Sequence, residues 1–153
     1  MAEDRKLRAA VLGASGYTGA ETVRLLAGHP NVDAVAAMGH SLAGRRLSEI
    51  FPHLAGPHDL PVVKAEDLNW DSVDVAFGCL PHGTSQDLIE TLPNHVKVVD
   101  LSADYRLRDA ELYAQTYGRP HLNPGRTSTV KYGLSEWRGA ELLGEDLVAC
   151  PGC

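Results

Sequence analysis

The sequence lacks any uninterrupted apolar run near the length of a membrane helix, which needs about 18 residues. Basic residues are also few, since 14 lysines and arginines stand against 20 aspartates and glutamates, for a formal net charge of -6. Without a basic cluster, we expect neither a membrane nor a nucleic acid as partner. Residues 1–6 lack the apolar region of a secretory signal, which predicts a cytoplasmic protein.

Cysteines number only three, and they are Cys79, Cys150 and Cys153. An odd number in a chain without a secretion signal disfavours a disulfide framework and leaves at least one thiol available for chemistry. Cys150 and Cys153 have C-x-x-C spacing, but neither a second pair nor clustered histidines accompany them, so we expect no metal site. Cys79 lies in an apolar run, which predicts a core position.

What the sequence does contain is an alternation of apolar runs with helical patterns, within 153 residues of which 44% are hydrophobic. This order is typical of an α/β protein with a doubly wound, mostly parallel sheet, a Rossmann-type fold. Strands are predicted at 9–12, 32–38, 73–80, 96–101 and 147–150. Helices are predicted at 17–27, 84–92 and 108–117, with Thr84 or Ser85 as the cap of the second. Residues 39–61 are predicted to form a long excursion with one short helical turn.

A glycine-rich turn joins the first predicted strand to the first predicted helix. Gly13 allows a tight turn, Gly16 lets the backbone approach a pyrophosphate, and Gly19 lets the helix pack closely on its strand. The helix N-terminus then offers N–H groups and a positive dipole end to the anion. The alternative is a glycine loop that only turns the chain. The candidate cofactor-binding residues of this segment are Gly13, Ser15, Gly16, Tyr17, Thr18 and Gly19.

The end of the second predicted strand indicates which dinucleotide binds. An NAD site usually has an acid there for the ribose 2′-hydroxyl, whereas residues 38–41 read Met-Gly-His-Ser. Ser41, Arg45 and Arg46 together offer a hydroxyl and guanidinium groups, which suit a 2′-phosphate. NADP is therefore the predicted cofactor. The alternative for each arginine is a solvated surface position.

Four sequence blocks carry a resemblance to a known family. They are Gly13 to Glu21 with the continuation Leu25-Leu26 and His29-Pro30, Leu80 to Ser85, Val99 to Leu107, and Tyr132 to Leu134 with Ala149 to Cys153. Together they resemble N-acetyl-γ-glutamyl-phosphate reductase, an arginine-biosynthesis enzyme, and they occur in that family's order over nearly the whole chain. The Leu-Ser-Ala-Asp-Tyr-Arg block and the Pro-Gly-Cys ending are the most specific.

The resemblance implies an oxidoreductase mechanism in which the Cys153 thiolate attacks an acyl phosphate, phosphate leaves, and hydride from NADPH reduces the thioester to an aldehyde. Cysteine suits this role because its thiolate is strongly nucleophilic. Cys150 departs from the family, which often has Asn there, and it is either a small core residue or a resolving thiol.

The resemblance also assigns binding roles. Ser102 and Arg106 are candidates for holding the substrate phosphate, the alternative for Arg106 being an ion pair with Asp104. The family's catalytic histidine lies beyond the cysteine, and none of the seven histidines here aligns with it. The residues that border the cofactor are Leu80, Pro81, His82 and Ser85.

The resemblance further implies that residues 1–153 are a dinucleotide-binding domain, truncated before the family's catalytic and dimerisation domain. Such a fragment is expected to bind NADP without turnover, and its parent to be a homo-oligomer acting on a small acyl phosphate. Two alternatives stay open. One is a related reductase of aspartyl phosphate or a carrier-bound substrate, and the other is a non-enzymatic nucleotide-binding module.

Overall fold

The computed structural model of the protein describes residues 5–56 and 59–152. The chain forms two compact units, Met1–Cys79 and Leu80–Cys153. Each is built from parallel β-strands connected through helices and loops, because parallel neighbours need a crossover and not a tight hairpin.

The first unit has four strands in the order β3-β2-β1-β4, and each neighbouring pair is parallel. The strands are β1 Leu7–Leu12, β2 Val32–Met38, β3 Val62–Val63 and β4 Val75–Gly78. The helices are α1 Tyr17–Ala27 and α2 Leu47–Ile50, with short 3-10 helices at Pro52–Leu54, Ala65–Asp67 and Trp70–Ser72.

The core of the first unit forms around β1. Residues 9–12 of this strand are fully buried, as expected for a strand with neighbours on both sides and apolar residues on both faces. Helix α1 buries Ala20, Val23 and Leu26, whose spacing places them on one face of the helix. Gly28 caps the helix C-terminus, and its N–H bonds the carbonyl of Leu25 at 3.3 Å.

The second unit has three strands in the order β5-β7-β6, again in parallel pairs. Its core contains Ile89, Val98, Tyr105, Val130, Leu147 and Ala149. The strands are β5 Lys97–Asp100, β6 Lys131–Tyr132 and β7 Leu147–Ala149. The helices are α3 Thr84–Ile89, α4 Ala110–Tyr117, α5 Pro124–Thr127 and α6 Ser135–Arg138, with a 3-10 helix at Gly139–Leu142.

The predicted elements with strong local signals agree with the structure. Helix α1 and strand β2 have the predicted bounds, whereas β4 and α3 are shorter than predicted. The excursion at 39–61 contains a 3-10 helix in addition to α2. Strands β3 and β6 were missed because two residues are too few to show an alternating pattern.

Within residues 5–56 and 59–152, none of the helices is long and apolar enough to cross a membrane. The same part of the chain has no group of three or more His, Cys, Asp or Glu side chains that could hold a metal ion.

Candidate functional site

The glycine turn between β1 and α1 is a closely packed feature of the first unit. Gly13 has a φ of 83°, which favours glycine, and the N–H groups of Gly13 and Ala14 both donate to the carbonyl of Met38, at 2.9 and 2.8 Å. A Cβ on Gly19 would lie 2.3 Å from the carbonyl oxygen of Gly13. Helix α1 therefore lies so close to the turn that only glycine fits at position 19.

The N-terminus of α1 has the properties of an anion site. Gly16, the N-cap residue, makes no side-chain capping bond, and the first turn contains no acidic residue. Gly16, Tyr17 and Thr18 are exposed. Because the first N–H groups of a helix lack intrahelical acceptors, this turn can present them to a pyrophosphate. The described residues therefore fit a dinucleotide, as the glycine pattern predicts.

The end of β2 lies beside the glycine turn. Met38 and Gly39 are buried, whereas His40 and Ser41 are exposed. A Cβ on Gly39 would come within 2.9 Å of both Ser15 Oγ and Val62 Cγ1. Ser15 thus packs against the strand end where an NAD-selecting acid usually stands, and the side chain of Ser41 is accessible to a ligand.

Arg45 and Arg46 are both half-exposed and both paired with carboxylates. Arg45 Nε donates to Glu49 at 3.2 Å, and Arg46 Nε donates to Asp59 at 2.6 Å. The Asp59 carboxylate also accepts from the backbone N–H and the hydroxyl of Ser48, and the hydrogen bond from Arg46 chiefly lowers its pKa. Arg46 is therefore held by Asp59, whereas the Arg45 guanidinium bonds the exposed Glu49 through its carboxylate and its backbone carbonyl, which lies 3.3 Å from Nη2.

In the second unit, the residues predicted to border the cofactor precede and begin α3. Pro81 and His82 are exposed, and the His82 ring lies 5.3 Å from that of Tyr117. Ser85 is fully buried, and its hydroxyl donates to Asp100 at 2.8 Å. The Ser85 hydroxyl is thus engaged within the protein, and contact of Leu80, Pro81, His82 and Ser85 with a cofactor stays a prediction.

The cap of α3 comes from a distant residue, so the expectation of a cap by Thr84 or Ser85 is wrong. Asp104 is fully buried, and its carboxylate accepts the N–H groups of Gly83 at 2.6 Å and Gln86 at 2.9 Å. It also accepts the hydroxyl proton of Tyr113 at 2.7 Å. This role was not predicted from the sequence. The available signal was the position of Asp104, four residues after Asp100 at the end of β5.

Asp100 organises the segment that follows β5. Its buried carboxylate accepts hydrogen bonds from the hydroxyls of Ser85 and Ser102, at 2.8 and 2.6 Å, and from the Ser102 N–H. Burial raises the pKa of this carboxyl, and the hydrogen bonds from Ser102 and Ser85 oppose that shift. Ser102 is buried as well, and its hydroxyl donates to Asp100. Its contact with the substrate phosphate stays a prediction.

Arg106 contacts backbone carbonyl groups, and its described hydrogen bonds do not include Asp104. Its Nε donates to the carbonyl of Cys150 at 2.7 Å, and its Nη2 donates to that of Leu101 at 2.7 Å and that of Pro151 at 3.4 Å. The guanidinium therefore lies against the backbone where β5 and β7 end. Its predicted role in holding the substrate phosphate stays a prediction.

The cysteines differ in their surroundings. Burial, and to a lesser extent the charge of Asp100, raises the pKa of the Cys150 thiol, which keeps it protonated near neutral pH. This favours a core role for Cys150 over a resolving one. Cys79 is partly buried and packs against the core of the first unit. Cys153, the predicted nucleophile, lies outside the described residues.

Parallel strands, a glycine turn and a helix N-terminus free for an anion define the class of dinucleotide-binding α/β domains. Comparison with protein families agrees, because residues 8–144 match the family described as semialdehyde dehydrogenase, NAD binding domain. The chain belongs to this family. The predicted Rossmann-type fold is thereby confirmed.

Individual relatives confirm the resemblance found in the sequence. The chain is 50% identical over 145 residues to an N-acetyl-gamma-glutamyl-phosphate reductase of Cereibacter sphaeroides, covering 94% of this chain and 42% of that protein. It is 48% identical over 149 residues to a probable N-acetyl-gamma-glutamyl-phosphate reductase, chloroplastic, of Oryza sativa subsp. japonica, covering 97% and 36%. The chain thus spans about two fifths of the length of these relatives.

Solved structures share the fold at low sequence identity. An aspartate semialdehyde dehydrogenase with NADP from Candida albicans aligns with a TM-score of 0.64 and 18% identity, over 94% of this chain and 42% of that chain. Aspartate semialdehyde dehydrogenase II from Vibrio cholerae aligns with a TM-score of 0.66 and 16% identity, over 97% and 42%.

Proposed function

We propose that this chain is the NADP-binding part of a cytoplasmic N-acetyl-γ-glutamyl-phosphate reductase, which forms N-acetylglutamate semialdehyde and phosphate in arginine biosynthesis. The observation that carries the proposal is the identity of about half of the residues with reductases so named, over nearly the whole chain. The proposal includes a further, catalytic and dimerisation domain in the intact enzyme, which acts as a homo-oligomer on this small acyl phosphate.

In the proposed reaction, the Cys153 thiolate attacks the acyl carbon, the bond to the phosphate oxygen breaks, and inorganic phosphate leaves. The thioester carbon then accepts a hydride, which NADPH supplies when bound, and the carbon–sulfur bond breaks to release the aldehyde and restore the thiolate. The Cys150 N–H donates to the Asp100 carbonyl, and Arg106 donates to the carbonyls of Cys150 and Pro151, so these contacts hold the backbone that precedes Cys153 in the chain.

The nucleophile is tested in the full-length reductase that contains this chain. Cys153→Ser is expected to abolish NADPH oxidation with N-acetyl-γ-glutamyl phosphate, at a loss of about a thousandfold or more in kcat, because an alcohol is a far weaker nucleophile than a thiolate. Cys150→Ser is the matched control and should keep most of the activity. Normal turnover by Cys153→Ser would contradict the proposal, and preference for aspartyl phosphate would redirect it to the related reductases.

The cofactor preference is tested at Arg45, because Arg46 is held by Asp59. We propose that the Arg45 guanidinium and the Ser41 hydroxyl bind the 2′-phosphate, with Arg45 leaving Glu49 when NADP binds. Arg45→Gln is then expected to weaken NADPH binding about tenfold, since a hydrogen bond to a charged group contributes about 1.5–3 kcal/mol.

The measurement is a titration of the variant with NADPH and NADH, and only the NADPH affinity should change. The matched control is Arg24→Gln, which removes another exposed arginine that pairs with a glutamate on its own helix. Equal losses for the two cofactors would show that Arg45 acts through the fold and not through the 2′-phosphate.

A further inference from the structure

Arg106 differs from Arg119, Arg126 and Arg138 of the second unit because all its described acceptors are backbone oxygens, whereas each of the other three bonds a carboxylate. The carbonyls of Leu101, Cys150 and Pro151 accept three of its N–H groups. A guanidinium has five N–H donors in a planar fork, and within residues 5–56 and 59–152 no acceptor takes a hydrogen bond from Nη1. The interaction with these carbonyls therefore uses the fixed geometry of the group as well as its charge.

The segment 150–152 is held through both backbone groups of Cys150, its N–H and its carbonyl. The Cys150 N–H donates to the carbonyl of Asp100 at 2.7 Å, and the Cys150 carbonyl accepts from Arg106 at the same distance. Beyond it, a Cβ on Gly152 would lie 3.0 Å from Arg106 Nη1, which is closer than an ordinary contact. The guanidinium thus packs against the segment 150–152 and also donates hydrogen bonds to it.

We propose that Arg106 is a positioning residue that fixes the backbone of 150–152 and so sets where the next residue, Cys153, begins. The inference rests on the proposed function, in which Cys153 is the nucleophile. It adds a role to the substrate-phosphate contact predicted for Arg106, because Nε and Nη2 donate to backbone carbonyls, whereas Nη1 makes no hydrogen bond to the described residues and can still meet a ligand. Lysine cannot replace this arrangement, since one ammonium is a point charge without the planar fork.

The test uses the full-length reductase with Arg106→Lys and Gly152→Ala, and with Arg108→Lys as the matched control at an exposed arginine. The first variant keeps the charge but loses the fork, and the second keeps Arg106 but crowds it. One readout is the rate of alkylation of Cys153 by iodoacetamide without substrate, followed by mass spectrometry of the peptide. The other is the separate measurement of kcat and of KM for the acyl phosphate.

Arg106→Lys is expected to slow alkylation of Cys153 about fivefold, the factor that corresponds to one lost hydrogen bond. Gly152→Ala is expected to slow it to a smaller extent, because its Cβ pushes the guanidinium away from the carbonyls. Both variants are expected to lower kcat by about tenfold to a hundredfold, because small displacements of a reacting group are costly. Arg108→Lys should stay within about twofold of the wild type in both readouts.

A rise in the KM of Arg106→Lys for the acyl phosphate, with unchanged alkylation and kcat, would overturn the proposal and leave Arg106 as a phosphate ligand only. If Arg106→Lys does not fold, unchanged alkylation in Gly152→Ala overturns it equally. Alkylation is measured without turnover, so a failure of the proposed reductase reaction is detected separately, by activity in Cys153→Ser.

Discussion

Gly19→Ala is expected to destabilise the protein by about 3 kcal/mol or more, the upper range for overpacking a close contact. The added Cβ would lie 2.3 Å from the Gly13 carbonyl oxygen and 2.6 Å from the Ala14 Cα, and both are backbone atoms that cannot rotate away. Helix α1 must then move off β1, which exposes the apolar residues that the helix buries. Urea denaturation followed by circular dichroism measures the loss.

Gly28→Ala provides the matched control, because Gly28 caps the C-terminus of α1 and its added Cβ would lie 4.0 Å from the nearest atom beyond its chain neighbours, the carbonyl oxygen of Leu25. Gly28 has a φ of -97°, which alanine also adopts. The control should change the free energy of unfolding by no more than about 1 kcal/mol. Equal midpoints for the two variants would mean that the close approach at Gly19 does not limit stability.

Asp104→Asn is expected to lower the free energy of unfolding by about 3 kcal/mol. The Asp104 carboxylate accepts hydrogen bonds from three buried donors, and the substitution replaces one of its oxygens by an NH2 group, which is itself a donor. The Gly83 N–H and the Tyr113 hydroxyl share one oxygen of Asp104, and the Gln86 N–H uses the other. Whichever way the amide turns, at least one donor faces another donor without access to water. The measurement is again the urea midpoint and its slope.

The matched control for Asp104 is Asp87→Asn within α3, the helix that Asp104 caps, because the Asp87 carboxylate is exposed and pairs with Arg119 at 3.1 Å. Exposed ion pairs contribute about 0–1 kcal/mol, so this variant should unfold near the wild-type midpoint. Tyr113→Phe removes a single donor to Asp104 and should give an intermediate loss. An unchanged midpoint in both Asp104→Asn and Tyr113→Phe would rule out the network as a stability element.

The fold was predictable where its signals are local. The glycine turn, the buried strand before it and Gly28 at the helix end all act within one stretch of chain, so α1 and β2 were predicted with correct bounds. Two-residue strands such as β3 were not predictable in this way. They exist because neighbouring strands bind them, and a run that short carries no pattern of its own.

In the candidate site, too, features that depend on adjacent residues were predictable and contacts between distant residues were not. The glycine turn and the absence of an acid after β2 follow from adjacent residues, and the structure has the tight turn at Gly13 and the close helix packing at Gly19 that the glycine spacing predicts. The partners of Arg46 and Asp104 could not be predicted, because Asp59 is 13 positions from Arg46, and Gly83 is 21 positions from Asp104. Only the folded chain brings such groups together.

The contact between Ser15 and Gly39 limits how this domain could be redesigned. An engineer who wishes to convert it to NAD would place an acid at the end of β2, but any side chain at position 39 collides with Ser15 and Val62. A successful exchange would have to replace Gly39 together with both Ser15 and Val62, or introduce the acid at the exposed His40. The volume available excludes an acid at position 39 itself, whereas it leaves position 40 open.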